Sequence, residues 1–299
     1  MPSIPAQIIA AYSRRMRLRM ADGSEVEARI KGKKLRPVCG DRVNAEAIDN
    51  EDDWLITGIL NRDNALTRPN LRGKTEVLAA NIQLLVVVAA PSPRPDWFIV
   101  DRYLAAAENM GVPAAVVYNK TDLAECGTES KADLVVYDNA GYTVIRCSAD
   151  NGSNIELVKQ TIGDSIAIVV GQSGVGKSSI INELMGGREQ RTAEVSTKTG
   201  EGKHTTVNSM MLDLPGGGFV IDSPGVRDFA PALESPGQVV RGFREIENAG
   251  HDCRFANCKH LQEPACAVKT AVESDEISAR RYESYRRLLR LTETLDKRL

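Results

Sequence analysis

Three patterns of apolar and polar positions follow one another along this chain. In the first, Met16-Arg17-Leu18-Arg19-Met20 alternates apolar with charged residues, Ala21-Asp22-Gly23-Ser24 supplies turn formers, and the run 26–30 resumes the strand pattern. Alternation of period two, broken by turn residues, predicts half-buried β-strands. Gly40-Asp41-Arg42-Val43 opens another strand and 54–60 a further one. Several short strands within 1–75 predict a small barrel. An OB-fold is the first expectation because that barrel commonly binds nucleic acid, although strand count alone does not separate it from an SH3-like barrel.

From 76 to 232 the pattern changes. The runs 82–90, 114–118, 142–147, 166–170 and 219–221 are short and almost wholly apolar, as parallel strands buried on both faces should be. Between the first two, 96–110 places Trp97, Val100, Tyr103, Leu104 and Ala107 on one helical face, and Gly111 follows as a stop. Strand–helix alternation predicts a doubly wound α/β sheet. In the third region, 233–299, Ser235-Pro236 is a helix-start signal. A helix over 275–295 then carries Tyr282, Tyr285, Leu288, Leu289, Thr292 and Leu295 on one face, with arginines elsewhere. That stripe reads as core packing.

Composition narrows the class. A chain of 299 residues has room for two or three domains, and 42% hydrophobic with 26% charged residues is ordinary for a globular protein. The longest apolar run, 84–90, is too short to span a bilayer. Ile8, Ile9 and Ala10 precede Arg14, Arg15, Arg17 and Arg19, the reverse of a signal peptide's order. A cytoplasmic monomer without a membrane partner is expected. Net charge is −2, so bulk charge does not announce a nucleic-acid partner. Local charge says more: 14–36 holds Arg14, Arg15, Arg17, Arg19, Arg29, Lys31, Lys33, Lys34 and Arg36, and Arg280, Arg281, Arg286, Arg287 and Arg290 cluster near the end. Each patch alone can be a solvated face; two of them flanking one chain favour phosphate-backbone binding.

The chemistry begins with Gly171-Gln172-Ser173-Gly174-Val175-Gly176-Lys177-Ser178, which matches GxxxxGK(S/T) between an apolar strand and a helical stretch over 177–185. Its glycines let backbone N–H groups curl around phosphates, and the helix N-terminus adds its dipole. Lys177 should bridge the β- and γ-phosphates, Ser178 should hold Mg²⁺, and Ser179 can reach the α-phosphate. The base is read elsewhere. Asn119-Lys120-Thr121-Asp122 matches NKxD at a predicted strand end. Asp122 can accept from guanine N1–H and its exocyclic amine, donors that adenine lacks in that arrangement. Asn119 can bond the base's acceptor edge and the Lys120 stem can cover its face. Cys147-Ser148-Ala149 looks like the SAx loop, whose backbone amide meets guanine O6.

Asp222-Ser223-Pro224-Gly225 matches DxxG after a strand. Asp222 would orient Mg²⁺ through water, and the Gly225 amide would sense the γ-phosphate. The loop 195–206 should be switch I, with Thr205 or Thr206 as the ligand to Mg²⁺ and γ-phosphate. Val226 stands where Ras-like enzymes place a water-orienting glutamine. Valine cannot orient water, so intrinsic hydrolysis should be slow, and His204 in switch I is the candidate substitute. Its bland alternative is a surface histidine. In Ras-like GTPases the phosphate loop precedes NKxD; here it follows, so the parts are those of a GTPase in circularly permuted order.

The six cysteines are uneven: Cys39, Cys126 and Cys147 are scattered, whereas Cys253, Cys258 and Cys266 are bunched with His251 and His260. Cys253-x4-Cys258-x-His260-x5-Cys266 supplies a closed Cys₃His set, the type used by one structural Zn²⁺. His251 is a rival ligand. The expected architecture is therefore multidomain α/β. It comprises an N-terminal OB-fold β-barrel (1–75), a circularly permuted P-loop GTPase domain with a doubly wound sheet (76–232) and a C-terminal, mainly helical zinc-binding domain (233–299).

Together, Gly40-Asp41-Arg42-Val43, Asp101-Arg102-Tyr103-Leu104, the NKTD and GQSGVGKSS segments, His204-Thr205-Thr206, DSPG and the zinc spacing resemble the RsgA/YjeQ family of small-ribosomal-subunit biogenesis GTPases. The resemblance implies GTP hydrolysis to GDP and phosphate, stimulated by the small ribosomal subunit, and a role in its late maturation through rRNA contacts. By position it gives Asn119 to Asp122 and Gly171 to Ser179 to the nucleotide and Cys253, Cys258, His260 and Cys266 to zinc, which makes His251 the weaker choice. The family's switch I often carries arginines where this chain has Glu201 and Lys203. Two other functions compete: a GTP-regulated RNA-binding or translation factor with incidental hydrolysis, and a permuted GTPase acting on the large subunit. The permuted order runs the switches on toward 233–299, so that region is expected to respond to the nucleotide more than 1–75.

Overall fold

The computed structural model of the chain describes residues 3–12, 15–32, 34–69, 75–123, 128–186, 207–223, 233 and 235–296. Its first strands are β1 (Ile4–Tyr12), β2 (Arg15–Met20), β3 (Glu25–Ile30), β4 (Arg42–Ala47) and β5 (Trp54–Ile59). They lie in the order β1-β2-β3-β5-β4, and β4 returns to pair with β1. A parallel β3–β5 pairing inside an otherwise antiparallel circuit closes a five-stranded barrel of OB-like topology. Strand order thus decides what strand count left open. Met16 and Leu18, the inward positions of the alternating β2, pack with Ile8, Val43, Ala45 and Ile56. Many of the basic residues here have acid partners: Arg17 pairs with Glu27, Arg29 with Glu51 and Asp53, and Arg42 with Asp63.

A hairpin of β6 (Ala65–Pro69) and β7 (Thr75–Ala80) leads to the central sheet. There β8 (Leu84–Ala89), β9 (Ala114–Tyr118), β10 (Thr143–Arg146), β11 (Ile166–Gly171) and β13 (Phe219–Asp222) run parallel in the order β10-β9-β8-β11-β13, and β12 (Val207–Asp213) adds antiparallel beyond β13. The helices α1 (Trp97–Met110) and α2 (Thr128–Asn139) contribute Val100, Tyr103, Leu104, Leu134 and Tyr137 to one core. The helices α3 (Ile155–Ile162) and α4 (Lys177–Leu184) contribute Ile155, Val158, Ile180 and Ile181 to the other. The sheet is doubly wound, as expected. The first helix is bounded as its sequence suggests: Asp96 accepts from Phe98 N at 3.0 Å, and Gly111 ends it at φ 67°.

The strand that joins barrel to sheet was not expected. Its residues are apolar on both faces because they serve two cores: Ile8 enters the barrel, while Ile9 packs with Leu66, Ala79 and Ile82. The β1–β2 register slips between Ile8 and Ala10, a bulge that turns the strand. Residues 4–7 of β1 pair with β4, and 10–12 pair with β12. Nearby, the Gly40-Asp41-Arg42-Val43 segment fastens the junction. The Asn81 amide donates to Gly40 O at 2.9 Å, and the wholly buried Asp41 carboxylate accepts two bonds from Arg62 at 2.7 and 2.8 Å. Gly40 sits at φ 90°, where a Cβ would lie 2.1 Å from Ala80 O, so no other residue fits.

The remaining helices are α5 (Pro236–Arg241), α6 (Arg244–Gly250), α7 (Ala267–Glu273) and α8 (Ala279–Asp296). Ser235 caps the first by accepting from Gln238 N. Phe243, Ile246, Val268, Tyr285, Leu288 and Leu289 pack together and against Phe98 and Ala105 of α1. No helix among the described residues is long and apolar enough to cross a membrane.

One expectation for α8 needs correction. Its arginines are not all on the outer face: Arg281 is wholly buried. Its guanidinium donates to Asp101 at 2.9 Å and to Glu245 at 2.7 and 2.9 Å. Arg280 donates to the other Asp101 oxygen at 3.0 Å, and Tyr137 OH donates to Asp101 at 2.8 Å. Burial, then the adjacent Asp101 charge, holds the Tyr137 phenol well above its ordinary pKa, so it remains a donor. Helical periodicity cannot see a carboxylate on another helix, which is why the sequence pattern placed Arg281 outside. Removing one member of a buried ion network leaves the others uncompensated, at a cost of about 3–5 kcal/mol. Asp101→Asn is expected to lower unfolding free energy by about 3 kcal/mol in urea titration; a change below about 1 kcal/mol would contradict that reading.

Candidate functional site

Because β8, β9, β11 and β13 are parallel, Ala89, Tyr118, Gly171 and Asp222 all leave the sheet at one edge. Open α/β sheets place ligands at that carboxyl edge. The loop after β11 turns at Gly171, whose φ of 138° and distance of 2.2 Å from a built Cβ to Val88 O admit only glycine. Val175 is buried in the core below, whereas Ser173, Gly174, Ser178 and Ser179 face solvent. No side chain caps α4, whose N-cap is Gly176, so its first N–H groups are not taken by a capping residue. Lys177 Nζ donates to Gly171 O at 2.8 Å and Gln172 O at 2.7 Å, folded across its own loop.

The base-reading segment lies directly against that loop. Asn119 is buried, and its amide joins three segments: Nδ2 donates to Val175 O at 3.0 Å, and Oδ1 accepts from Ala149 N at 3.0 Å and weakly from the Cys147 thiol at 3.7 Å. Burial pushes the Cys147 thiol up to about 12, which keeps it a neutral donor. Gly176 is required here as well, since a Cβ would lie 2.3 Å from Asn119 Nδ2. Lys120 adopts φ 60° and reaches Ser92 O at 2.8 Å and Gly174 O at 2.7 Å. Thr121 Oγ1 donates to Cys147 O at 2.9 Å, and Ser148 Oγ donates to Asp122, holding the exposed carboxylate in place.

Thus Asn119, Lys120, Thr121, Asp122, Ser148, Ala149 and the 171–179 loop are brought together. Asp222 reaches the same edge on β13. His204, Thr205, Thr206 and Gly225 lie outside the described residues. The sequence reading missed the participation of Ser92 and Asp96. Asp96 N donates to Gln172 Oε1 at 3.2 Å, which ties the phosphate loop to the start of α1. Only the proline-rich stretch 91–95 hinted that a rigid segment belonged there.

The second candidate site is the cysteine cluster between α6 and α7. Ligand atoms of Cys253, Cys258, His260 and Cys266 all lie within 4.8 Å of one another. Cys253 and Cys266 Sγ are 3.8 Å apart, and each is 3.5 Å from His260 Nδ1. A tetrahedral zinc with bonds of about 2.3 Å to sulfur and 2.0–2.1 Å to nitrogen implies edges of roughly 3.8 and 3.6 Å. The cluster therefore has the donors and the edge lengths that zinc requires. His251 is outside it. The loop is fixed from several sides. Glu263 accepts from the backbone N–H groups of Lys259, Leu261 and Gln262, and Tyr285 OH donates to Lys259 O at 2.8 Å. Although burial raises it, those N–H donors bring the Glu263 carboxyl down to about 2. Burial raises the Cys253 thiol too, but the Val268 and Ala267 N–H groups outweigh it and hold it below its usual value.

A phosphate loop after β11 and a base-reading loop after β9, at one edge of a parallel sheet with β8 between them, in permuted order and flanked by a barrel and a Cys₃His unit, define a circularly permuted P-loop GTPase. Comparison with known proteins agrees. The RsgA GTPase family model matches residues 59–231. The small ribosomal subunit biogenesis GTPase RsgA of Pseudomonas aeruginosa is 38% identical over 290 residues, covering 96% of this chain and 85% of that protein. The protein of the same name from Actinobacillus pleuropneumoniae is 41% identical over 258 residues, 84% of this chain and 75% of that one. YjeQ from Thermotoga maritima superposes with a TM-score of 0.75 at 26% identity, covering 97% of this chain and 99% of its own. YloQ, a circularly permuted GTPase, shares the fold with a TM-score of 0.71 at 24% identity, covering 98% and 96%. The chain belongs to the RsgA GTPase family.

Asn119→Ala would leave Val175 O and Ala149 N without their partner and free the phosphate loop from the base-reading loop. Two such bonds near the ligand are worth about 2–3 kcal/mol, or roughly 100-fold in affinity. GDP titration by fluorescence is expected to show that loss with far-UV circular dichroism unchanged; an unaltered affinity would mean the tie is incidental.

Proposed function

We propose that this chain hydrolyses GTP on the small ribosomal subunit during its late maturation, contacting rRNA, and acts as a cytoplasmic monomer. The observation that carries the reading is the Asn119 bridge, which makes one site of the base-reading and phosphate loops. The relatives' names supply the subunit. In this reading residues 1–75, 76–232 and 233–299 act as RNA-binding, nucleotide and zinc-binding units.

Guanine lies against the Lys120 stem, with its N1–H and amine donating to the Asp122 carboxylate that Ser148 orients. The second Nδ2 hydrogen of Asn119 remains for the base's acceptor edge, and the Ala149 amide lies at O6. Lys177 leaves its two carbonyl partners for the β- and γ-phosphates, which the N–H groups of 171–179 surround. Ser178, Asp222 and a switch threonine, Thr205 or Thr206, would hold Mg²⁺, which neutralises charge developing on the phosphates. The Gly225 amide senses the γ-phosphate. His204 orients the attacking water once the subunit closes switch I over the site. Cys253, Cys258, His260 and Cys266 would hold one Zn²⁺ as a closed set, a role for folding rather than chemistry.

Nucleotide-dependent co-sedimentation tests the assignment. With a non-hydrolysable GTP analogue the chain is expected to travel with small subunits and not with large ones, and to release with GDP. Equal sedimentation with both subunits, or none with either while RNA binding persists, would favour the GTP-regulated RNA-binding factor. The metal assignment has its own test. Protein purified without chelator should contain one zinc per chain, and Cys258→Ser should lose it with a lower melting temperature; a zinc-free protein as stable as the variant would refute it.

A further inference from the structure

Most described arginines have an acid partner, and two that have none meet at one place. Arg102 on α1 and Arg287 on α8 both stack on the ring of Phe98, with their central carbons 5.4 and 4.1 Å from its centroid. Among the described residues neither makes an ion pair. Their neighbours have acid partners: Arg280 and Arg281 are bonded to Asp101, and Arg286 is paired with Glu283, although Arg280 Nε and Nη2 are themselves buried without hydrogen bonds. Arg102 Nε is buried without any hydrogen-bond partner. Burial lowers the Arg102 pKa and the Arg287 charge lowers it further, against the opposing influence of Tyr103 and Asp96.

Such an arrangement works against folding. Two like charges share one aromatic ring, and one carries a desolvated donor that nothing satisfies. Packing alone does not require this, because a leucine at either position would cover Phe98 without charge. Two guanidinium groups that stack on one ring and spend no donor on an acid among the described residues match a phosphate, which accepts from both. The place also matters. Asp96, which caps α1 nearly two turns before Arg102, is bonded to Gln172 of the phosphate loop, whereas α8 belongs to the unit that carries the Cys₃His cluster. A phosphate seated here would clamp α8 to α1 between those two sites.

We propose that Arg102 and Arg287 form a binding site for a backbone phosphate of RNA in the small ribosomal subunit, seated at the α1–α8 seam. This rests on the function proposed above and adds where one RNA contact is made. The test measures affinity of the full, zinc-containing chain for isolated small subunits, with a GTP analogue, between 50 and 200 mM salt. Each phosphate neutralised contributes about 0.7–0.9 to the slope of log K against log salt. Arg102→Gln, Arg287→Gln and the double variant are compared with wild type, with Arg286→Gln as a control on the same helix. The double variant is expected to bind about 10-fold more weakly at the lowest salt, with a slope smaller by about 1, while GDP affinity and zinc content hold. Arg287→Gln, which changes an exposed residue, should show the same direction even if the double variant folds poorly.

Weaker binding with the wild-type slope would make these residues structural and overturn the proposal. So would inorganic phosphate that raises the melting temperature of GDP-bound wild type but not of the double variant, with no change of slope, because the site would then belong to a free anion. A wild-type chain that ignored small subunits would instead defeat the function proposed above, and this partner with it.

Discussion

The side-chain amide of Asn119 is the constraint around which the nucleotide site is organised. It is one buried group with donors and acceptors spent on two loops that lie 30 and 56 residues away in sequence. Gly176 exists as glycine because that amide stands where its Cβ would be. This explains why permuting the order of the motifs does no harm. The site needs the ends of β8, β9, β11 and β13 at one edge of a parallel sheet, and that depends on strand neighbours rather than on which motif is synthesised first. Moving the chain ends leaves Asn119, Val175 and Ala149 where they were.

What permutation changes is how the flanking units are attached. The barrel is not a bead on a linker: β1 leaves it at the Ile9 bulge and pairs with β12, closing the outer edge of the central sheet. Arg19 of the barrel also pairs with Asp213 of β12 at 2.6 Å. The C-terminal helices are held differently, by the buried Asp101 carboxylate between Arg280, Arg281 and Tyr137. Chain order alone suggested that 233–299 would follow the nucleotide more than 1–75. The β1–β12 pairing gives the barrel a direct bonded route to the strand that follows 187–206, just as Asp101 ties the C-terminal helices to α1.

The central sheet was readable because its strands are apolar on both faces, a pattern few other elements share, and the phosphate loop because glycine, lysine and serine sit at spacings the chemistry demands. The Cys₃His set was readable for the same reason. The strand at 4–12 was hidden: a strand that changes cores at a bulge shows no alternation. The helix at 128–139 was hidden because its opening residues, Thr128, Glu129, Ser130, Lys131 and Asp133 among them, present no apolar stripe to read. Partners were hidden in general. Nothing in the spacing of α8 marks Arg281 for a carboxylate 180 residues earlier, or shows that Gln172 will hold the first turn of α1.

The proposal that most needs testing is that the small subunit brings a water-positioning group, His204, to the guanine-nucleotide site. GTP turnover by the full chain and by His204→Ala, with and without purified small subunits, tests it most directly. The account predicts slow turnover alone, strong stimulation of the wild type by small but not large subunits, and loss of that stimulation in the variant at unchanged GDP affinity. Turnover that was the same with and without small subunits would contradict it.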